Sequence, residues 1–338
     1  MERRIVFFGG KGVGDDRPCF ITFEAGPTHD GLPSAKRLAS LAADAGADAI
    51  KFQIFDPDRL IADRSQLFSY EVLVDRETGA TETVSEPLYD IFCRRALADD
   101  EWVRVKEYCD SLGLAFFATL GTEEEIRFVE NLGCDSIKIA SADVNHFPLI
   151  RAAAKTGMCI QLDTGNSTLE EISAAVDIIR SQGNERIIIH QCPSGYPAGL
   201  ESINLRIIQT LDIAALAVGA NLIEKTITLD RTTRSVEHIM SLEPPEMKEF
   251  IQSIRDVELA MGSAERVMTK EEDEKRRQVR RSVFLTEAVN RGKKLGDAGV
   301  EFKRPGTGLG PDEYESMLDA VFVDDLPQGR MLTREDLS

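Results

Sequence analysis

The sequence predicts a (β/α)8 barrel of the TIM type followed by a small β-rich domain. Three observations lead there. Short apolar strands alternate with amphipathic helices from Cys19 to Gly262. Within those strands, apolar residues keep one parity and polar or charged residues the other. From about residue 280 the pattern changes to short β-like runs broken by turn residues. A chain of 338 residues has room for one large domain and a small one. The expected division is a barrel with an N-terminal hairpin over 1–265, a charged, partly helical linker over 266–281 and a small domain over 282–338.

The elements follow in order. "GGKGVG" at 9–14 has the look of a phosphate loop. It lacks a Lys-Ser/Thr ending and leads into a strand rather than a helix, so a hairpin turn is expected. "CFITFE" (19–24) is the first barrel strand, and "SAKRLASLAADAGA" is the helix after it. "AIKFQIF" (49–55) is the second strand. Residues 56–85, rich in Asp, Arg, Glu and Thr, read as a surface loop. Helices around "LYDIFCRRA" and "DEWVRVKEYCDSLG" precede the strand "AFFATL" (115–120), and Trp102 and Tyr89 sit at helical spacing as core residues. Three further pairs follow: "EEEIRFVENLG" with "SIKIA", "LIRAAAKTG" with "CIQLDT" (159–164), and "STLEEISAAVDIIRSQG", capped by Ser167, with "RIIIHQC" (186–192). "LIEKTIT" (222–228) and the helix "PPEMKEFIQSIRDVELAMG" close the series.

That makes seven strands, and a barrel needs eight. In "INLRIIQTLDIAALAVGA" one helical pattern runs directly into another, with no strand between Asp212 and Ile213. Either the barrel is irregular, or a strand and its loops are absent from the sequence at that junction. The second is the expectation.

Composition excludes several functions. Hydrophobic residues make up 42%, enough for a large core. No apolar run is long enough to span a membrane, and the apolar run near the N-terminus is too short for a signal peptide. A soluble cytoplasmic protein is expected. The six cysteines form no CxxC pair, which disfavours zinc and disulfide frameworks. A net charge of −18 disfavours nucleic acid. It leaves open a small anionic substrate held by local lysines.

Those lysines are the informative feature. In "SIKIA", Ile137 and Ile139 share the face that must pack on helices, so Lys138 points into the barrel with Ser136 and Ala140. The same parity sends Lys51 and Gln53, Thr22 and Glu24, Gln161 and Asp163, and Glu224 and Thr226 inward. For "RIIIHQC" the parity is less clear; one assignment groups His190 with Ile188 and Cys192. Ordinary barrel interiors are filled with branched apolar residues, and an unpaired buried charge costs several kcal/mol. An internal ion-pair network such as Lys51 with Glu24 is one explanation. A doubly anionic ligand carrying phosphate and carboxylate suits two lysines near C-terminal strand ends better. His29, in "GPTHDG", follows a strand's C-terminal end, where barrel active sites lie, and suits a loop, capping or catalytic role.

These stretches resemble the sialic acid (N-acetylneuraminate) synthase family. "FITFEAGPTHDG", "AGADAIKFQIF", "DSIKIASADVNHFPLI", "LDTGNSTLEEI", "HQCPSGYPAG", "NLIEKTITLDR" and "VEHIMSLEPPEM" come in the family's order. "RRSVFL" through "FKRPGTGLGPDEYESML" to "LPQGRMLTREDL" is similar to its C-terminal antifreeze-like (SAF) domain. The resemblance implies condensation of phosphoenolpyruvate with an N-acylamino sugar aldehyde of the N-acetylmannosamine kind, giving a nine-carbon sialic-type acid and phosphate. Polysaccharide or other carbohydrate biosynthesis is the implied setting. It further implies that Lys51 and Lys138 with Gln53 and Ser141 hold phosphate and carboxylate, and that Glu24 is an acid/base or orients the sugar. Ser194 and Tyr196 match substrate-contacting positions, and Asp163 joins the substrate site. Arg304 matches an arginine that reaches the sugar in a partner's barrel, so a domain-swapped homodimer is implied.

The departures concern the metal. The family commonly uses manganese or magnesium, held by histidines in a Ser-Asp-His-Thr motif on the seventh strand and a Glu-Lys-His-Phe motif on the eighth. The first motif is absent at the Asp212 junction, and the second reads "EKTI", with Thr226 at the histidine. Threonine is a weak ligand for a transition metal. His190, His238, Glu224 and Asp163 are the substitute candidates. Asp163 itself stands where the family usually has serine, and "FFATLGT" replaces a Ser-Thr-Pro-Phe-Asp motif. Two alternatives therefore stand beside the synthase: a related phosphoenolpyruvate or aldol-type enzyme on another sugar, and a metal-poor, non-catalytic sugar-phosphate binder.

Overall fold

In the computed structural model of the chain, residues 5–14, 17–192, 198, 220–261 and 267–338 are described. Two compact units divide at 261/262.

The first unit is built on seven parallel strands: β3 (Phe20–Glu24), β4 (Ala49–Gln53), β7 (Ala115–Thr119), β8 (Ser136–Ile139), β9 (Cys159–Asp163), β10 (Ile187–His190) and β11 (Leu222–Thr226). Their order is β10-β9-β8-β7-β4-β3-β11. Flat, this sheet would hold its edge strands roughly 29 Å apart, at the usual strand spacing. Yet His190 of β10 lies 3.9 Å from Glu224 of β11. The sheet is curled almost into a cylinder. The span between those two strands, including the Asp212–Ile213 junction, lies largely outside the described residues.

The parity expected from the sequence is realised. Ile21, Phe23, Ile50, Phe52, Phe116, Ala118, Ile137, Ile139, Ile160 and Leu162 pack in one core with the outer helices. Helix α1 (Leu32–Ala45) shows how the sequence builds that layer. Ala35, Leu38, Ala39 and Ala42 form its buried stripe, and Gly46, at φ 93°, closes its C-terminus on the carbonyls of Ala42 and Ala43. Helices α4 (Asp99–Ser111), α5 (Glu123–Asn131), α6 (Phe147–Lys155), α7 (Leu169–Ser181) and α8 (Pro244–Met261) complete the series. The cap of α7 is Thr168, whose hydroxyl accepts from Glu171 N–H, rather than Ser167. Threonine wins because Glu171 stands three residues on and closes a capping box.

Glycines 9 and 10, at φ 56° and 74°, form the tight turn of a hairpin joining β1 (Ile5–Phe8) to β2 (Lys11–Gly14). The hairpin plugs the N-terminal end of the barrel. Phe8 and Val13 pack with the inward Phe20, Ala49 and Phe117, against Ala115, Ile188 and Leu222.

Two expectations fail in the next stretch. Residues 56–85 are no loop: short helix α2 (Pro57–Leu60) leads to a long antiparallel hairpin, β5 (Leu67–Leu73) and β6 (Thr81–Pro87). Its strands are largely exposed: Phe68, Tyr70 and Val72 alternate with Ser69 and Glu71 in β5, but Val72 is the buried one among them, and in β6 Val84 alone is buried. Tyr89, on α3 (Leu88–Cys93), is only half-buried, with its hydroxyl bonded to Asp58 (2.7 Å). Trp102 is buried as expected.

The second unit begins with α9 (Lys270–Val279), capped by Thr269. Beyond it, β12 (Ser282–Leu285) pairs antiparallel with β13 (Val300–Lys303), followed by α10 (Pro311–Ser316). Its own core holds Val283, Leu285, Leu295, Leu309, Phe322 and Leu332. Arg304 is exposed in the loop after β13, and its peptide bond to Pro305 is cis. Among the described residues, no helix is long and apolar enough to cross a membrane.

Candidate active site

The C-terminal half of the barrel interior carries an ion network. Register sets it up: Glu24 pairs with Lys51 across β3 and β4, Thr226 with Glu24 across β11 and β3, and Asp163 with His190 across β9 and β10. Parity turns all of them inward. Lys51 Nζ forms an ion pair with Glu24 Oε2 and lies 3.1 Å from Glu224 Oε1. Lys138 Nζ donates to both oxygens of Glu224 (2.7 and 2.8 Å) and lies 3.1 Å from Asp163 Oδ1. One carboxylate oxygen, Glu224 Oε1, thus touches both ammonium groups. The ion-pair network and the inward lysines are both real.

Burial and charge pull these groups in different directions. Burial lowers the Lys51 ammonium's pKa despite the nearby Glu224. Burial acts the same way on Lys138, but Asp163 and Glu224 together overcome it and raise that pKa. Burial would raise Glu224, and Lys138 and Lys51 reverse this and hold it well below the ordinary carboxylate range. His190, buried and beside Lys138, is pushed down to about 4 and is neutral at pH 7.

Loops at the strand ends complete the site. Glu24 Oε1 accepts from the Gly26 N–H (2.6 Å). A Cβ on Gly26 would stand 2.5 Å from Glu24 Oε1 and 2.6 Å from Gln53 Cγ, so this close approach requires glycine. Gln53 is half-buried at the end of β4. Ser141 opens the 3-10 turn after β8, and Gly165 packs close to it: a Cβ there would come within 3.2 Å of Ser141 Oγ. His29 is buried, with Nδ1 accepting from Gly31 N–H (3.4 Å) and its ring edge-on to Trp102 and Phe52. Burial lowers it to about 4, which leaves the ring neutral at pH 7, and its buried Nε2 has no hydrogen-bond partner among the described residues. Ser194 and Tyr196 lie outside the described residues. Arg304 belongs to the second unit.

Two groups escaped the sequence reading. Glu237 follows β11 in a left-handed conformation (φ 66°), unusual for a non-glycine residue. Burial raises its carboxyl pKa, and the charges of Lys51, Arg95, Glu224 and Lys138 all act on it. Its only sequence signal was a carboxylate beside His238 in the loop after a barrel strand. The second is the pairing of Gln161 with His190, 2.9 Å apart. It depends on strand register, which no single strand reveals.

The implied divalent metal does not fit the described residues. Among them no group of three or more His, Cys, Asp and Glu is placed to hold an ion. The Glu224, Asp163 and Glu24 carboxylates are already engaged by lysines. His238 Nδ1 is taken up with Thr228 Oγ1 (2.7 Å). Thr226 brings only a hydroxyl to the end of β11.

Comparison with known proteins gives this geometry a lineage. The NeuB family model matches residues 38–213 and 209–266, two segments that overlap at residues 209–213. An N,N'-diacetyllegionaminic acid synthase of Legionella pneumophila is 30% identical, over 97% of both chains. A human N-acetylneuraminate-9-phosphate synthase is 29% identical over 78% of this chain and 77% of its own. A crystal structure of an N-acetylneuraminic acid synthetase from Leptospira borgpetersenii superposes with a TM-score of 0.68 at 27% identity, covering 81% of this chain and 95% of that one. With its barrel, its inward lysines and its family match in register, the chain belongs to the NeuB family.

Proposed function

We propose that the chain condenses phosphoenolpyruvate with an N-acylamino sugar in its open aldehyde form, yielding a nonulosonic acid and phosphate. The observation that carries this reading is the bridging of Lys51 and Lys138 by a single oxygen of Glu224. Two ammonium groups held together by one shared carboxylate oxygen are preorganised to bind a substrate's carboxylate or phosphate. The relatives' names, synthases of legionaminic and neuraminic acids, support the same reading.

In the reaction, C3 of phosphoenolpyruvate attacks the aldehyde carbon, water adds at C2 and phosphate leaves. Lys51 and Lys138 bind and orient the anion, with Gln53 and Ser141 at the rim. Glu24, fixed by Gly26 N–H, orients the sugar or exchanges a proton with the aldehyde oxygen. Thr226 favours one alternative, a sugar-phosphate binder without catalysis. Phosphate release from phosphoenolpyruvate, measured against a panel of N-acylamino sugar aldehydes with and without manganese, decides between them. Release that requires both substrates is expected. Binding of phosphoenolpyruvate with no release across the panel would favour the binder.

We also infer a homodimer in which the small domain, residues 282–338, covers the partner's barrel, with Arg304 donating its planar fork to the sugar's acyl group. Lys138→Ala and Arg304→Ala, each inactive alone, are mixed after dissociation and reassociation. A site built across subunits gives mixed dimers with one intact barrel, and activity returns to about a quarter of wild type under random pairing. No recovery despite subunit exchange would mean that Arg304 serves its own barrel or none.

A further inference from the structure

A chain of three side chains beneath the ion network fixes more than packing. Ser136 Oγ lies 3.0 Å from the Cys159 carbonyl oxygen, Gln161 Nε2 lies 2.9 Å from Ser136 Oγ, and His190 Nε2 lies 2.9 Å from Gln161 Oε1. Ser136 and Gln161 are fully buried. The carbonyl can only accept, so the Ser136 hydroxyl must spend its one proton on it. The hydroxyl oxygen then accepts, which requires the Gln161 amide nitrogen on that side. The amide oxygen is left facing His190, so Nε2 of the imidazole must be the protonated nitrogen. Any other arrangement sets two acceptors or two donors face to face in a buried place.

The consequence lies on the other side of the ring. Nδ1 keeps its lone pair and points it into the site, 3.9 Å from Glu224 Oε2 and 4.0 Å from Asp163 Oδ1. These separations are too long for direct hydrogen bonds. A donor placed between them would satisfy this lone pair, and a water molecule is of the right size.

We propose that His190 is the base for the water that adds to C2 of the substrate, and that Ser136 and Gln161 are positioning residues that hold its Nε2–H tautomer. The proposal rests on the synthase reading above. As the water's oxygen bonds to C2, its O–H bond breaks and the proton moves to Nδ1. The imidazolium keeps its Nε2–H on Gln161 and returns the extra proton to solvent after phosphate has left. Neither oxidant nor reductant is involved.

The test has two arms. In uniformly 15N-labelled protein without substrate, long-range proton–nitrogen correlations read each histidine's tautomer. The chain has four histidines, so His190 is assigned by elimination through variants at His29, His146 and His238, whether or not a His190 variant folds. A pyridine-type Nδ1 and a pyrrole-type Nε2 are expected, and the reverse overturns the proposal. This arm is independent of the substrate's identity, so it can fail while the synthase reading stands. In the second arm, Gln161→Leu and His190→Asn should each lower kcat about 100-fold, with KM for phosphoenolpyruvate changed less than about twofold. An unchanged kcat in His190→Asn would overturn the base assignment.

Discussion

The two ends of the barrel interior share parity, strands and curvature, yet they hold opposite chemistries. At the N-terminal end the inward positions are Phe20, Ala49, Phe117, Ile188 and Leu222, sealed by Phe8 and Val13 of the hairpin. The Phe8 ring lies 4.8 Å from that of Phe20, tilted by 39°, and edge-on at 5.0 Å to Phe117. At the C-terminal end Glu24, Lys51, His190 and Glu224 turn inward, joined by Lys138 of β8 and Asp163 of β9. The difference teaches that the fold needs only the apolar end to close. Replacing buried ion pairs by apolar residues is often neutral or stabilising. Charges kept at one end, when the other end shows that apolar filling works, point to a task beyond stability.

The largest expected effect on binding falls on the charged end. Lys138→Ala removes the cation that neutralises both Glu224 and Asp163. Phosphoenolpyruvate binding should weaken by about 2–5 kcal/mol, the range for one partner of a buried charge pair. Calorimetry that returns wild-type affinity would break the contrast between the two ends.

The apolar end should answer in the other currency. Phe8→Ala empties a fully buried ring site and should destabilise the first unit by about 3–5 kcal/mol, read from denaturant unfolding. KM for phosphoenolpyruvate should hold, because the plug lies at the opposite end from the lysines. A large change in KM with little change in stability would show that the two ends are not separable.

A smaller effect tests the rim. Thr226, paired in register with Glu24, offers a hydroxyl where the family's second metal histidine stands. Imidazole is the better ligand for manganese. Thr226→His should tighten manganese binding about tenfold or more, roughly 1.4 kcal/mol, in a titration followed by electron paramagnetic resonance. Tight, stoichiometric manganese in the unaltered protein would contradict the reading of this position.

How far the sequence reaches follows the same division. Strand parity was legible because Ile, Phe and Leu recur at every second residue in β3, β4, β8 and β9, which left the charged residues one direction to point. Those lysines could be placed inside without any partner being known. What lay hidden depends on neighbours in space. The Ser136–Gln161–His190 chain runs across three strands. Glu237 acts from a loop whose conformation no periodicity encodes. The hairpin over 67–87 was missed for another reason: Phe68, Tyr70 and Val72 alternate in β5, but its partner β6 is polar apart from Val84 and Pro87 and offers no matching repeat.

The smallest effect concerns Asp163, and it sharpens what the charged end is for. All three ammonium protons of Lys138 have acceptors within the protein: two on Glu224 and one on Asp163. With its protons so committed, Lys138 has none free for a ligand. Counted together, Lys51 and Lys138 face Glu24, Glu224 and Asp163, so the network carries one more acid than base. An anionic substrate must displace one of those carboxylates, and Asp163, held by the longest of Lys138's contacts, is the easiest to displace. Serine, the family's usual residue there, keeps an acceptor for the ammonium and removes the surplus charge. Asp163→Ser should therefore tighten phosphoenolpyruvate by about 1 kcal/mol, roughly fivefold in KM. Stability should change little, since Lys138 keeps both bonds to Glu224. A weaker affinity for the sugar, with that for phosphoenolpyruvate unchanged, would mean that Asp163 meets the sugar's hydroxyls rather than restraining Lys138. The acidic excess would then be a device of sugar recognition, and the charged end would divide into an anion half and a sugar half.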